Sequence, residues 1–271
     1  MCILLEVSRS GYYDWLDRPL SKRAKRQKKI KEIIEKVHKK YPMWGVDPIW
    51  AEVKETIPCS RNTVYKIMKE NDIKSKRKRK WKATTNSNHN LPPAPNLLEQ
   101  DFNVTVPNTV WVGDITYLWT EEGWLYTAIV KDLCTKEVVG YAMGDRINKE
   151  LVINAMNMAI KRERPNKGLI FHSDRGSQYC SKDFKGLLKS NNIRQSMSRR
   201  GNPYDNACAE NFFSCLKCEC TNFYHFRSRD EAKFAVFEYI EVYYNRQRRH
   251  GALGWITPAT YKRLLALKLA A

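Results

Sequence analysis

Apolar residues along this 271-residue chain follow a helical period first and an alternating one later, and the change falls between residues 80 and 105. Within SKRAKRQKKIKEIIEKVHKK (residues 21–40), Ile30, Ile33, Ile34 and Val37 form one narrow helical stripe, with Ser21 placed as its N-cap. Tyr41-Pro42 ends that helix, and a short second one is predicted from about Pro48 to Thr56, where Pro48 suits a first turn. Ser60 then caps RNTVYKIMKEN, which buries Val64, Ile67 and Met68 and turns Arg61, Asn62, Tyr65, Lys66 and Lys69 outward. Short helix, tight turn and a helix with polar, basic outward residues follow helix-turn-helix logic, with simple packing of two small helices as the plainer alternative.

From residue 106 onward the pattern is mixed. Val110–Thr120, Gly123–Leu133 and Glu137–Gly144 read as three strands joined by short turns, an antiparallel meander. Residues 148–162 are helical in period, Gly168–His172 is a short buried strand, Ser181–Ser190 a helix and Ile193–Met197 a strand. Asp205–Cys220 and Arg229–Arg246 each read as one continuous helix. A meander followed by alternating helix and strand is the order of a ribonuclease-H-like α/β fold: a five-stranded mixed sheet flanked by helices, preceded here by a small helical domain. The predicted division is a helical DNA-binding region over 1–80, a basic and Pro/Asn-rich linker over 81–105, and a core with a C-terminal helical extension over 106–265.

Charge changes the picture next. The chain carries 48 Lys and Arg against 29 Asp and Glu, a formal charge of +19, and residues 1–100 alone hold 23 basic against 11 acidic residues. Six of the seven residues 74–80, including Lys76, Arg77, Lys78, Arg79 and Lys80, are basic. A phosphate-contacting module beside a second, less basic one fits that distribution; a solvated basic face is the bland alternative. No run of 18 apolar residues occurs and the start lacks a basic segment followed by a long apolar one, so neither a membrane span nor a signal peptide is expected, and the cytoplasm is. Cys208, Cys215, Cys218 and Cys220 cluster near His225, but spread along one helix they read as reduced thiols packed like small hydrophobes, with zinc as the alternative.

Three acidic residues carry candidate chemistry. Asp114 lies inside the first predicted strand on the face of Val112 and Thr116, Asp174 follows the fourth strand in a turn ended by Gly176, and Glu210 is on the following helix. Singly, each has an ordinary reading as a strand, turn or surface acid. Jointly, in WVGDITY, FHSDRGSQY and GNPYDNACAENFF on a basic chain, they suit metal-dependent phosphoryl transfer. Magnesium is hard and oxygen-seeking, and two ions about 3.5–4 Å apart activate an attacking oxygen and stabilise a leaving one. Lys217, seven residues after Glu210, and Asn206, four before it, share its helix face and could hold phosphate or the scissile strand.

These segments, with SRSGYYDW, SMSRRGNPYDNACAENFFSCLKCE and YNRQRRHGALGWITPATY, closely resemble the insertion-sequence-three family of bacterial transposases across nearly the whole chain. The resemblance implies an integrase core in which Asp114, Asp174 and Glu210 are catalytic metal ligands for Mg²⁺ or Mn²⁺, Lys217 is the basic residue after the Glu, and Arg249 and His250 contact DNA. It implies cleavage at the element's ends and transfer of a 3′-OH to target DNA, commonly through a circular intermediate. The partners implied are double-stranded DNA (terminal inverted repeats and target), an upstream-frame product with a helix-turn-helix and leucine zipper, and further protomers on DNA at the bacterial nucleoid. The abrupt start MCILLEV fits the second reading frame alone. Gly113 stands where the family has a Thr-like residue, a change expected to loosen the strand, and MWGVDPIW stands where it reads like YGYRRI. A non-catalytic DNA-binding regulator and a purely hydrolytic nuclease are the rival readings.

Overall fold

Serine side chains start the N-terminal helices, and burial decides how they pack. The computed structural model describes residues 8–77, 93–199 and 203–270, in two units, Met1–Lys76 and Arg77–Ala271. In the first unit α1 (Arg9–Leu16), which the apolar pattern did not announce, buries nothing. Helices α2 (Lys22–Lys40), α3 (Val46–Thr56) and α4 (Arg61–Glu70) close a small core of Ile30, Ile34, Trp44, Ile49, Val53, Val64, Ile67 and Met68. Ser21 Oγ accepts from Ala24 N at 3.1 Å and Ser60 Oγ from Thr63 N at 3.2 Å, each satisfying an otherwise unpaired first-turn donor. The unusual MWGVDPIW stretch is accommodated: Tyr41 and Trp44 stack at 4.2 Å, and α3 begins two residues early, with Pro48 in its first turn.

The second unit is built on five strands, β1 (Val110–Thr120), β2 (Gly123–Asp132), β3 (Val138–Gly144), β4 (Ile170–Ser173) and β5 (Arg194–Met197), ordered β3-β2-β1-β4-β5. The β1–β2 and β2–β3 pairs are antiparallel, and β1–β4 and β4–β5 are parallel. The central position of β1 explains why adjacent Trp111 and Val112 are both fully buried, one on each face.

On one face lie α5 (Lys149–Glu163), α6 (Ser177–Cys180) and α7 (Lys182–Ser190), whose Leu151, Ala155, Met156, Tyr179, Phe184 and Leu188 pack on Trp111, Ala128, Val130 and Phe171. Gly140 of β3 lets α5 approach closely, because a Cβ there would meet Ala155 O at 2.3 Å. The opposite face is covered by α8 (Ala207–Glu219), α9 (Arg229–Phe237) and a π-helical turn Glu238–Tyr244; α10 (Pro258–Ala270) ends the described chain. There Phe212, Leu216, Val236, Ile240 and Tyr244 pack on Leu118, Leu125, Ile129 and Val138.

Two predicted helices are therefore interrupted. Asp205–Cys220 begins as a 3-10 turn, Pro203–Asn206, before α8. Arg229–Arg246 widens to π geometry at Glu238, where Tyr239, Ile240 and Tyr244 are all buried. The i→i+5 pattern, with Asn245 N bonded to Ile240 O at 3.1 Å, brings both tyrosines inward. It also turns the Asn245 amide onto β3, where it donates to Val138 O and accepts from Val138 N, each at 3.0 Å. Of the predicted linker, residues 81–92 lie outside the described residues; beyond them Leu98 is buried against Val110 and Val112, and Leu97 N donates to Ser196 Oγ at 2.9 Å. Among the described residues no helix is long and apolar enough to cross a membrane.

Candidate active site

Parallel pairing of β1 with β4 sets Gly113 opposite Ser173. Asp114 is the next residue within β1 and Asp174 the first beyond β4, so their backbones lie side by side at the spacing of about 4.8 Å that a sheet imposes. Gly113 does not loosen this strand, as its residue type alone suggested. A Cβ there would lie 2.4 Å from Phe171 Cζ and 2.7 Å from Cε2, so the missing side chain is the space the ring occupies. Asp114 Oδ1 accepts from Ile115 N at 2.8 Å, and Asp174 Oδ1 from Gly176 N at 3.0 Å, fixing both side chains to their own backbone turns.

Glu210 is brought by α8 to the face of β1 that Asp114 shares. Ala209 is fully buried against Leu98, Val110, Val112 and Leu133, which presses the start of α8 onto β1 on the face that Asp114 shares. Glu210 is thus in the first turn of α8, where a helix favours negative charge. The three carboxylates feel one another. Burial, then the charge of Asp174 and further that of Glu210, hold the Asp114 carboxyl well above its usual range, against the Ile115 N–H and Lys217. Partial burial and then Asp174 raise Glu210. The carboxyl of Asp114 is enclosed by protein although the residue keeps some contact with solvent. Burial lowers Lys217 while Asp114 raises it, and its Nζ stands 5.5 Å from the centre of the Tyr117 ring.

Among the described residues no three His, Cys, Asp or Glu side chains are close enough to enclose a metal ion as they stand. The donor chemistry nonetheless fits a hard divalent cation: the set is all carboxylate, and its members raise one another for want of positive charge. The thiols are otherwise engaged. Cys208 packs beside Ala209, Cys220 lies against the Phe212 cluster, and Cys215 Sγ accepts from Arg248 Nη2 at 3.3 Å.

The remaining candidates divide. Arg61, Asn62 and Lys66 are exposed on α4, with Arg61 paired to Asp47. Lys76 is exposed, Arg77 bonds Glu219 Oε1 at 3.0 Å, and Lys78, Arg79 and Lys80 lie outside the described residues. Asn206 does not share an open face with Glu210: the 3-10 turn buries it, 4% exposed, with its Oδ1 unpartnered among the described residues. His250 is likewise turned inward. Its Nδ1 is buried without a partner among the described residues, and burial, then Lys131, Arg248 and Lys136, pull its pKa down to about 3, so the ring is neutral. Arg249 donates to Trp255 O at 3.0 Å.

Several polar residues that the sequence did not single out hold the frame. His172 joins Ser196 Oγ through Nδ1 at 2.8 Å and Ser198 Oγ through Nε2 at 3.2 Å, its pKa drawn to about 4 chiefly by burial. Buried Asp205 accepts from Asn96, Gln100 and the backbone and guanidinium of Arg199, and that arginine pair leads in lowering its carboxyl. Glu219, at the far end of α8, accepts from Arg248 Nε at 2.8 Å and Nη2 at 2.9 Å and from Tyr239 OH at 3.0 Å. Only their place inside the long motifs hinted at these roles.

Family models of the integrase core domain match residues 104–203 and 191–258, and an HTH-like domain model matches 25–81. The insertion element IS600 uncharacterized 31 kDa protein of Shigella sonnei is 48% identical over 264 residues, 97% of each chain. Transposase InsF for insertion sequence IS3A of Escherichia coli (strain K12) is 40% identical over 266 residues, covering 97% of this chain and 92% of that one. Among solved structures, the HTLV-2 integrase catalytic core domain in complex with magnesium (trimeric form) aligns with 58% of this chain and 97% of its own, at 17% identity and a TM-score of 0.45.

Proposed function

The chain belongs to the transposase family of insertion sequence IS3 and is a DNA transposase with an integrase core, and we propose that Asp114, Asp174 and Glu210 are the carboxylates with which it cuts and joins DNA. The observation that carries this assignment is the Gly113–Ser173 pairing, which sets Asp114, within β1, beside Asp174, just past the end of β4, with the first turn of α8 packed on the same face of β1. Rigid strands hold two oxygen donors at fixed backbone positions, and Glu210 supplies the third from the helix.

The three side chains hold Mg²⁺ or Mn²⁺, two ions by family resemblance; when bound, these supply Lewis-acid activation of the attacking oxygen and neutralise the leaving one. Lys217, two helical turns beyond Glu210, offers its ammonium to a phosphate oxygen beside them. No side chain forms a covalent intermediate: the 3′-OH of a cut end attacks a target phosphodiester, and the phosphorus–oxygen bond to the leaving strand breaks in line with it. Arg61, Asn62 and Lys66 on α4 and the basic run beginning at Lys76 contact the DNA duplex, phosphate contacts setting affinity. The resemblance adds an upstream-frame helix-turn-helix and leucine-zipper product as partner, at least two protomers on the paired ends, and action at the nucleoid in the cytoplasm.

The test is circle formation from a plasmid carrying the element's ends, with and without the upstream frame. Wild type forms circles, and Glu210→Gln forms none while its DNA affinity stays within about twofold, since a metal ligand and not a phosphate contact is lost. Circles from Glu210→Gln, or a loss of DNA binding equal to the loss of cleavage, would refute the assignment.

A further inference from the structure

Four aromatic side chains line one face of the β1–β2 hairpin, and two of them are left open to solvent. The register sets Tyr117 opposite Tyr126 and Trp119 opposite Trp124, and alternation puts Tyr117 and Trp119 on the side of β1 that Trp111 takes. Trp124 is held edge-on by Tyr117 at 4.9 Å and by Trp119 at 4.8 Å between ring centroids. Even so, Trp119 is 57% and Trp124 37% exposed. The turn that carries them is tied down. Buried Thr120 donates through Oγ1 to Gly123 O at 2.7 Å, Glu121 N to Phe226 O at 3.1 Å, and Arg229 Nε to Trp124 O at 3.1 Å. The two acids of the turn are engaged by the segment entering α9, Glu121 with His225 Nδ1 at 3.4 Å and Glu122 with Arg229 N at 2.9 Å.

These rings are continuous with the candidate active site along one edge of β1. Strand β4 pairs with β1 as far as Gly113, and among the described residues that edge is bridged again only at Thr120, by Phe226. Asp114 begins the open stretch and Trp119 stands near its end, five residues on, or about 17 Å at the rise of a strand. Helix α8 packs on the opposite face, so Lys217 reaches the Tyr117 ring, 5.5 Å from its centre, across this open edge. An ammonium therefore lies on the path from one face to the other. A DNA strand passing from the carboxylates to Trp119 has to turn over the edge. A duplex is too stiff for that turn, whereas an unpaired strand covers the distance in about five nucleotides at a stacked spacing of about 3.4 Å. Together the two indoles expose on the order of 200 Å², about a quarter of the roughly 800 Å² each partner gives to a stable protein interface, but enough for the one ring face that a base requires.

We propose that Trp119 is a stacking site for an unpaired base of the DNA strand engaged at the carboxylates, with Trp124 and Tyr117 bracing its indole and Lys217 beside the strand's phosphates. The occupant is single-stranded DNA of any sequence, because every base presents a π-face. This role rests on the reading of Asp114, Asp174 and Glu210 as the carboxylates that engage DNA, since they fix where the strand sets out. It accounts for two tryptophans kept at the surface of a strand pair whose other large apolar side chains are buried or half-buried.

The experiment uses the full-length protein without divalent metal. Fluorescence anisotropy measures binding of a labelled DNA duplex with a short unpaired tail, and of a blunt duplex, by wild type, Trp119→Leu and Trp119→Phe. Wild type is expected to prefer the tailed duplex. Trp119→Leu, apolar but without a π-face, is expected to bind the tailed duplex about tenfold more weakly and the blunt one within about twofold of wild type, while Trp119→Phe keeps most of the preference. No preference in wild type, an undiminished one in Trp119→Leu, or equal losses on both duplexes overturns the stacking site. Self-association lost in Trp119→Leu, with the tail preference kept, overturns it too and marks the rings as a contact between copies. Quenching of tryptophan fluorescence by the tail reads the contact without the leucine variant: it is expected in wild type and reduced in Trp119→Phe, and equal quenching in both overturns the assignment. Circle formation by Glu210→Gln, scored separately, sinks the carboxylate reading and leaves the tail preference as the judge of Trp119.

Discussion

Replacing Gly113 by alanine tests the packing that holds the two aspartates together. The added Cβ would stand 2.4 Å from Phe171 Cζ, 2.7 Å from Cε2 and 3.2 Å from Ile129 O, so the ring must retreat by about 1 Å to restore ordinary contact. It has little room, being 1% exposed and held edge-on by Phe184 at 5.5 Å and tilted against Tyr179 at 5.8 Å. Forcing a methyl into a filled core costs about 1–3 kcal/mol, while alanine in place of glycine in a strand returns roughly 0.5–1 kcal/mol. A net loss of about 1–2 kcal/mol is therefore expected in urea unfolding, seen as a lower midpoint at unchanged slope. Phe171→Leu alone leaves a cavity and is expected to cost about 1–2 kcal/mol. The double variant should be more stable than the sum of the two losses by about 1 kcal/mol, because the shorter side chain vacates the space the methyl needs. Gly113→Ala as stable as wild type, or strict additivity in the cycle, would refute the reasoning.

Two further variants probe the polar frame. Arg248→Met removes both main donors to Glu219, whose side chain is 2% exposed, and leaves it Arg77 and Tyr239; a loss of about 3 kcal/mol is expected in urea unfolding, partly recovered by adding Glu219→Gln, and a lone variant within about 0.5 kcal/mol of wild type would contradict it. His250 is held neutral, with a folded pKa of about 3 and only positive neighbours in Lys131, Arg248 and Lys136, so between pH 6.5 and 3 the unfolded chain takes up a proton that the fold refuses. Stability from this group is complete above about pH 6.5 and is lost as pH falls, by about 2 kcal/mol at pH 5; urea midpoints from pH 5 to 6.5 should fall less steeply for His250→Gln, and parallel profiles would exclude the effect.

The elements with strong periodicity were legible before any coordinates. Strand β1 matches its predicted span because β-branched and aromatic residues fill it on both sides of Gly113-Asp114 and a Glu-Glu-Gly turn follows it, and α2 and α4 match because serine caps stand before apolar stripes. What escaped was set by tertiary context. Asn206 was placed on the face of Glu210 by helical spacing and His250 came with the family resemblance, but burial depends on partners far along the chain. The π turn at Glu238–Tyr244 was illegible for the same reason: an extra residue per turn is favoured only because Tyr239 and Tyr244 must both reach a core supplied by β2, β3 and α8. Gly113 was read from residue type, whereas its cause is a ring 58 residues away.

The candidate site itself shows how little of a long motif need be chemical. In GNPYDNACAENFFSCLKCE, Asp205 at one end gathers Asn96, Gln100 and Arg199, and Glu219 at the other is clamped by Arg248 and Tyr239. Between them Ala209, Phe212 and Leu216 press the helix onto the sheet. Helix α8 is thus fixed at both ends and along its inner face, and Glu210 and Lys217 are left among the residues these contacts do not consume. A helix pinned in this way cannot slide to improve contact with a ligand. Positioning therefore falls to side-chain rotation of Glu210 and to the orientation of Asp114 and Asp174.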